Sequence, residues 1–548
     1  MRLTVLGKEE EYPDGTTLEK IAFDHQELYP YRIILAIVNG QLKELFQKPV
    51  DGDVLEFETL AGKSGNMTYQ RSLLFLLLKA SCDVIGENIY SRISVDFSIN
   101  KGLYINFHGL VPDQALSDAI EKRMRELVAQ DLPFDKRTVR TQEAIDHFHA
   151  LGMEDKVELF QCRIASFTNI YRLGEYEDYY YAYMVPSTGY LTTFALFPLE
   201  DGLILQTPLR RSPDELIPYR YEKPIFDTLK RGVDWSEKLK LRTVGNLNSW
   251  IIRGETASLI LLQEAYMEHE IGEIAEEIEL KGRRLVLIAG PSSSGKTTFS
   301  HRLSLQLKAK GLNTHAIPCD DYFRDRDSYP LLPDGTQDFE SIECVDIERL
   351  NHDLKDLLAG KKVAIPSYDF INGKHIDHAR DLQIGKNDVI VLEGIHCLND
   401  ALTYSIPTED KYRIFISALM QIGIDYHNRI STTDARLLRR IVRDSRTRGY
   451  HPQDTIAKWD SVRRGEEEYI FPYQMNADTI FNSSLIYELP VLKTYVEPLL
   501  FGIGPEEKEY PEAKRLLKFL SYFVAIPAEN IPQNSLLREF IGGGCFDI

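Results

Sequence analysis

Residues 283–300 read RRLVLIAGPSSSGKTTFS, and the fold of the chain turns on them. LVLIA is a continuous apolar run, the pattern of a strand buried on both faces. From Gly290 the chain has the spacing G-x-x-x-x-G-K-T, and TTFSHRLSLQLKAKG continues as a helix. Strand, glycine-rich loop and helix in that order make a phosphate cradle, because loop N–H groups and the helix N-terminus all face the anion. Gly290, Pro291, Ser292, Ser293, Ser294, Gly295, Lys296, Thr297 and Thr298 are expected to hold a nucleotide. Lys296 would neutralise the β/γ charge and the Thr297 hydroxyl would reach Mg²⁺. No Asn-Lys-x-Asp guanine signal follows, which favours ATP.

Downstream, DVIVLEGIHCL (388–398) reads as a second buried strand with Glu393 at its C-terminal end, placed to hold Mg²⁺ directly or through water. PCDDYFRD (318–325) follows another apolar segment, so Asp320 or Asp321 can face the γ-phosphate, accept a proton from a substrate hydroxyl and sit beside the metal. DARLLRRIVRDSRTRGY (434–450) carries six arginines on a predicted helix. Arg436, Arg440 and Arg443 share one face, with Arg439 and Arg446 on neighbouring rows, as in a phosphate-clamping lid.

In combination GPSSSGKTT, DDYF, PSYDF, VIVLEGIHCL and RRIVRDSRTRG resemble the uridine kinase and phosphoribulokinase family, over residues 283–490. The resemblance implies ATP-dependent transfer to a hydroxyl of a ribose-like acceptor. It implies Asp320 as catalytic base, Thr297, Glu393 and Asp320 at the metal, and Arg440, Arg443 and Arg448 on substrate and phosphates. Glu340 falls where the family binds ribose hydroxyls, and Tyr368 matches an aromatic beside the base. At the position of the family's base-reading His stands Gly373, with His375 two residues on as a substitute.

The fold expected is α/β: a P-loop kinase with a parallel sheet, preceded by a β-grasp module and an α+β second domain. Residues 1–61 resemble a TGS domain, through VNGQLKEL and DGDVLEFETL, and 62–230 resemble the second, editing-type domain of threonyl-tRNA synthetases. Where those synthetases carry four metal ligands, this chain has Arg71, Phe75, Tyr180 and Met184, which cannot make a zinc site. The Tyr-rich 176–196 reads as strand. A helical linker, 231–282, and a C-terminal extension, 491–548, complete the division. His147 and His149 lie two apart on a predicted helix and do not face each other.

The net charge of −19 argues against a broad nucleic-acid surface. Six scattered cysteines favour free thiols, and the charged start lacks a signal-peptide core, which together point to the cytoplasm. The apolar run LLFLLLKA is too short for a membrane span. The leading expectation is a kinase of a nucleoside-like small molecule, with a front half that senses a ligand or holds a homo-oligomer. Its rivals are a tRNA- or ribosome-associated ATPase and a kinase of a different sugar or alcohol.

Overall fold

A computed structural model describes residues 1–86, 89–332, 335–370 and 372–546. LVLIA forms Leu285–Ala289, the central strand of a five-stranded sheet. Across that sheet the strands run Thr314–Pro318, Val389–Glu393, Leu285–Ala289, Lys411–Ser417 and Thr479–Asn482, every neighbouring pair parallel. Parallel strands need crossovers, whose helices cover both faces; hence the apolar runs rather than alternation. The helix Lys296–Ala309 packs on one such face through Phe299, Leu303 and Leu307, all buried. Three strands end at one edge, in Ala289, Pro318 and Glu393, the edge where open parallel sheets bind ligands.

In the front half, Arg2–Val5, Lys8–Glu11, Ile33–Val38, Gln41–Glu44 and Val54–Thr59 form a mixed sheet beside the helix Leu18–Asp24. Two antiparallel sheets follow, of four and three strands. With them packs the largely buried helix Lys63–Ile85, which contains the apolar run LLFLLLKA. The helices Lys223–Lys238, Val244–Ile252 and Thr256–Lys281 lead into the parallel sheet.

One expectation is corrected. Within the Tyr-rich stretch only Tyr176–Tyr179 and Ala195–Leu199 are strand. Tyr180, Met184 and Val185 are buried without joining a ladder, so aromatic burial rather than strand pairing explains the composition.

A buried ionic knot ties front to back. Lys156 Nζ lies 3.2 Å from Asp178 and 3.4 Å from Asp425, and all three side chains are 0% exposed. His427 Nδ1 meets Asp178 at 2.6 Å. A buried charge is tolerable only with such partners; Asp178 is held well below the usual carboxylate range because Lys156 and His427 outweigh its desolvation. Among the described residues no helix is long and apolar enough to cross a membrane.

Candidate active site

The phosphate loop is wedged against the sheet. A Cβ at Gly290 would stand 2.0 Å from the Ile416 carbonyl, so only glycine lets the chain leave the strand there. Ser293 sits at φ +60°, and its neighbour Ser294 is fully buried. Lys296 Nζ donates to the carbonyls of Gly290 at 3.1 Å and Pro291 at 3.4 Å. The Thr297 hydroxyl donates to Glu393 Oε1 at 2.9 Å, joining the loop to the end of the neighbouring strand.

Three carboxyls gather around Lys296, and the Lys296 charge draws each of them down against burial. Burial wins at all three. Glu393 and Glu340 are each pushed up to about 7, and Asp320 is raised as well. Asp320 also feels Arg448, and Glu340 feels Arg440, so the lid arginines face the same space. Next to Asp320, Asp321 is pushed up to about 6 by burial.

The arginine helix, Thr432–Thr447, divides its work. Arg436 donates to the Ser292 carbonyl at 3.0 Å and forms a two-point ion pair with Glu466. Arg439 donates to the Ser293 and Ser483 carbonyls and pairs with Glu488 at 2.5 Å. These two arginines are 1% and 0% exposed in their side chains and hold the loop rather than clamp a ligand. Glu466 also accepts from the Ser292 N–H at 3.1 Å. Arg440 donates to the Ser292 hydroxyl at 2.8 Å, and Arg440, Arg443 and Arg448 converge on Asp444.

Beyond Asp320 the wall is aromatic. Tyr368 packs edge-on against Phe323 and Phe370, and its hydroxyl accepts from Tyr329 at 3.1 Å. Tyr329 packs edge-on against Phe339. The family likeness singles out Tyr368; Phe370 stands in the same PSYDF stretch, while Phe323, Tyr329 and Phe339 come from an earlier part of the chain that no motif ties to it. His375 pairs with Tyr368 across a hairpin, but its ring nitrogens are both engaged. Nδ1 meets the Phe323 carbonyl at 2.9 Å and Nε2 meets Arg349 at 3.0 Å, so the ring is fixed as a strut and not turned toward a ligand. Gly373 adopts φ +66°, and a Cβ there would stand 2.8 Å from Arg326 Nε. Arg326 fills the space that a side chain at 373 would use.

The C-terminal segment supplies a group that no motif announced. Glu539 Oε2 accepts from both the N–H of Thr298, at 3.1 Å, and its hydroxyl, at 3.0 Å. It thereby caps the first turn of the phosphate-loop helix with a carboxylate. Phe546 stacks on His301 of the same helix at 5.1 Å, and Arg446 anchors the segment through the Glu539 and Phe540 carbonyls.

In the front half, Phe75 packs on Tyr180 at 5.6 Å and on Tyr176 at 4.9 Å, while the Ser72 hydroxyl donates to Met184 Sδ. Arg71 donates to the Tyr183 carbonyl at 2.7 Å. His147 and His149 point to different carboxylates, Glu177 and Glu154. Among the described residues no three His, Cys, Asp or Glu side chains converge as a metal cage. A hard cation that keeps waters and phosphate oxygens needs fewer protein ligands. Thr297, Glu393 and Asp320, acid-rich beside a single lysine, fit one.

The model of the phosphoribulokinase / uridine kinase family matches residues 285–485. A uridine kinase of Mycoplasma genitalium is 32% identical over 197 residues, covering 36% of this chain and 83% of that protein. A threonine–tRNA ligase of Syntrophotalea carbinolica is 29% identical over 194 residues in the front half, covering 35% of this chain. The chain spans only 30% of the ligase's length. A solved D-glycerate 3-kinase from Cryptococcus neoformans aligns at 15% identity with a TM-score of 0.21, over 51% of this chain and 89% of that one.

Proposed function

The chain belongs to the phosphoribulokinase / uridine kinase family, and from that premise we propose that it transfers the γ-phosphate of ATP to a hydroxyl of a nucleoside or related ribose compound. The observation that carries the reading is the Thr297–Glu393 hydrogen bond, formed beside Lys296 and opposite Asp320. It joins a loop hydroxyl to a strand-end carboxyl, and the charges of Lys296 and Asp320 act on that carboxyl.

Lys296 and the loop amides bind the phosphates, and Arg440, Arg443 and Arg448 close over them. Glu539 holds the N–H of Thr298, which an incoming phosphate would take, so nucleotide binding displaces it. Thr297, Glu393 and Asp320 would hold Mg²⁺, which when bound supplies charge neutralisation at the transferring group. Asp320 accepts the proton of the attacking hydroxyl, its basicity raised by burial. Glu340 orients the acceptor's hydroxyls, and Tyr368 with its aromatic neighbours stacks on the acceptor's flat end.

A second reading, a different alcohol with an anionic or carbonyl group, draws on Arg326, which stands where Gly373 leaves no side chain. Measuring ADP release from ATP against a panel of nucleosides, sugar phosphates and plain alcohols tests both. Acceptor-dependent turnover on a nucleoside supports the first; turnover only on an anionic alcohol supports the second. ATP hydrolysis indifferent to every acceptor rejects both.

A further inference from the structure

Away from the phosphate loop, two adjoining cavities of about 270 and 580 Å³ open between the front half and the arginine helix. They share the walls Lys63, Met67, Arg71, Tyr181, Trp459 and Asp460. Their combined volume lies in the range of small-molecule sites, roughly 300–1,000 Å³. The lining is cationic in an acidic protein, with nine Lys and Arg against five Asp and Glu.

Four of the five acids are already engaged. Glu512 pairs with Lys63 and Arg515, and Asp434 takes two bonds from Arg515. Left over are Arg71, Arg429, Lys508, Lys514 and Lys518, none of which has a carboxylate within 4.0 Å among the described residues, and three of them lose charge stability to burial. Burial draws Arg71 down, with Arg515 adding to it, and burial draws Arg429 down too. Lys518 stands at the solvent-accessible mouth, yet the protein around it and the charges of Arg163, Lys136 and Arg71 push it to about 8. Asp434 acts on Arg429 and Glu44 on Lys518, but burial outweighs each of them, and gathering cations with so little counter-charge is costly. A ligand carrying at least two negative charges removes that cost. Tyr181 and Trp459 offer flat surfaces for an organic moiety, and Arg71 already lies over the Tyr181 ring at 5.7 Å.

We propose that this cavity is a second ligand site, which takes a small phosphate ester on Arg71, Arg429 and Lys518 and passes its occupancy to the phosphate loop. The connection is short. Trp459, a wall of both cavities, carries the Arg436 guanidinium at 5.5 Å on its ring. Arg436 in turn holds the Ser292 carbonyl and Glu466, which accepts from the Ser292 N–H. A second wall residue, Arg463, donates to the same Glu466 at 2.7 Å. Binding needs nothing from the kinase reading; the regulatory half rests on it.

The test is calorimetry on the full chain with ribose 5-phosphate, inorganic phosphate and uncharged ribose, in wild type, Lys296→Ala, Arg71→Gln/Arg429→Gln and Lys518→Met. The expected result is a phosphate-dependent site that survives Lys296→Ala and weakens about tenfold or more in the other two variants. Lys518→Met changes a residue at the mouth, so it keeps the test decisive where the double variant does not fold. Tighter binding of the ester than of inorganic phosphate identifies an organic ligand; equal binding identifies the bare anion. No binding, or binding abolished by Lys296→Ala and untouched by the cavity variants, overturns the proposal. ATP turnover measured with and without ribose 5-phosphate reads the coupling. It should change at least twofold in wild type and not in Lys518→Met, and binding without any change in turnover overturns the coupling.

Discussion

Glu393→Gln separates the chemistry of the site from its stability. The Thr297 hydroxyl, 2.9 Å from Glu393 Oε1, can donate equally well to an amide oxygen, so the substitution keeps the local hydrogen bond. What it removes is a carboxyl that burial pushes from 4.5 to about 7. Ionising that group inside the fold costs about 3 kcal/mol more than in the unfolded chain. Partial access to the cleft reduces this to about 1–3 kcal/mol. The sign follows from the raised value. Below about pH 4.5 both states are protonated and nothing is lost. Between about 4.5 and 7 the unfolded chain ionises first, so wild type loses stability as pH rises, and the loss is complete above about 7. The glutamine variant escapes it. At pH 8 and without nucleotide or Mg²⁺, its Tm should exceed that of wild type by about 2–10 °C, and the gap should narrow steadily toward pH 5. In the same preparation phosphoryl transfer should fall by about a hundredfold or more, because the metal-side carboxylate is gone. Differential scanning calorimetry across pH 5–8, with turnover on the same samples, measures both. A Tm difference that does not change with pH, or activity within about tenfold of wild type, refutes the reasoning.

Glu539→Gln removes the carboxylate that competes with phosphate for the Thr298 N–H and hydroxyl, so ATP affinity should rise by about three- to tenfold; equal affinity by fluorescence titration would count against competition. Gly373→His should not create a base-reading pocket. Its Cβ meets Arg326 at 2.8 Å in a left-handed backbone, so Tm should fall by the equivalent of about 1–3 kcal/mol with no gain in uridine selectivity. A stable variant with sharpened uridine preference would show that Arg326 gives way.

The parallel sheet was readable because three things agreed at one place: an apolar run, the glycine spacing and a helix behind it. Carboxyls at strand ends were readable for the same reason, since the edge they reach follows from strand direction. Lone side chains on distant segments were not. Glu539 lies 241 residues from Thr298 and belongs to no motif, so nothing in spacing ties it to the loop. The arginine run illustrates the limit differently. Helical periodicity groups Arg436 with Arg440 and Arg443, yet Glu466 and Glu488 draw Arg436 and Arg439 into buried pairs, and those partners come from later segments. Nearness in sequence to Gly373 suggests His375 as a substitute, but the hairpin places it opposite Tyr368, with its ring on Arg349 and the Phe323 carbonyl. The Tyr-rich stretch misled because aromatics favour any half-buried surface, whether or not a ladder runs through it.

The central claim is that the γ-phosphate held by this loop goes directly to an acceptor hydroxyl whose proton Asp320 takes. Its most direct measurement is transfer from γ-labelled ATP to a nucleoside panel by wild type, Lys296→Ala and Asp320→Asn, with ATP binding measured separately. A labelled nucleoside monophosphate should form with wild type. Lys296→Ala should abolish most of it, and Asp320→Asn should lower kcat by about 10²–10⁴ while leaving ATP affinity within a few-fold. Label released only as inorganic phosphate, at a rate that neither acceptor nor Asp320→Asn alters, would contradict the account.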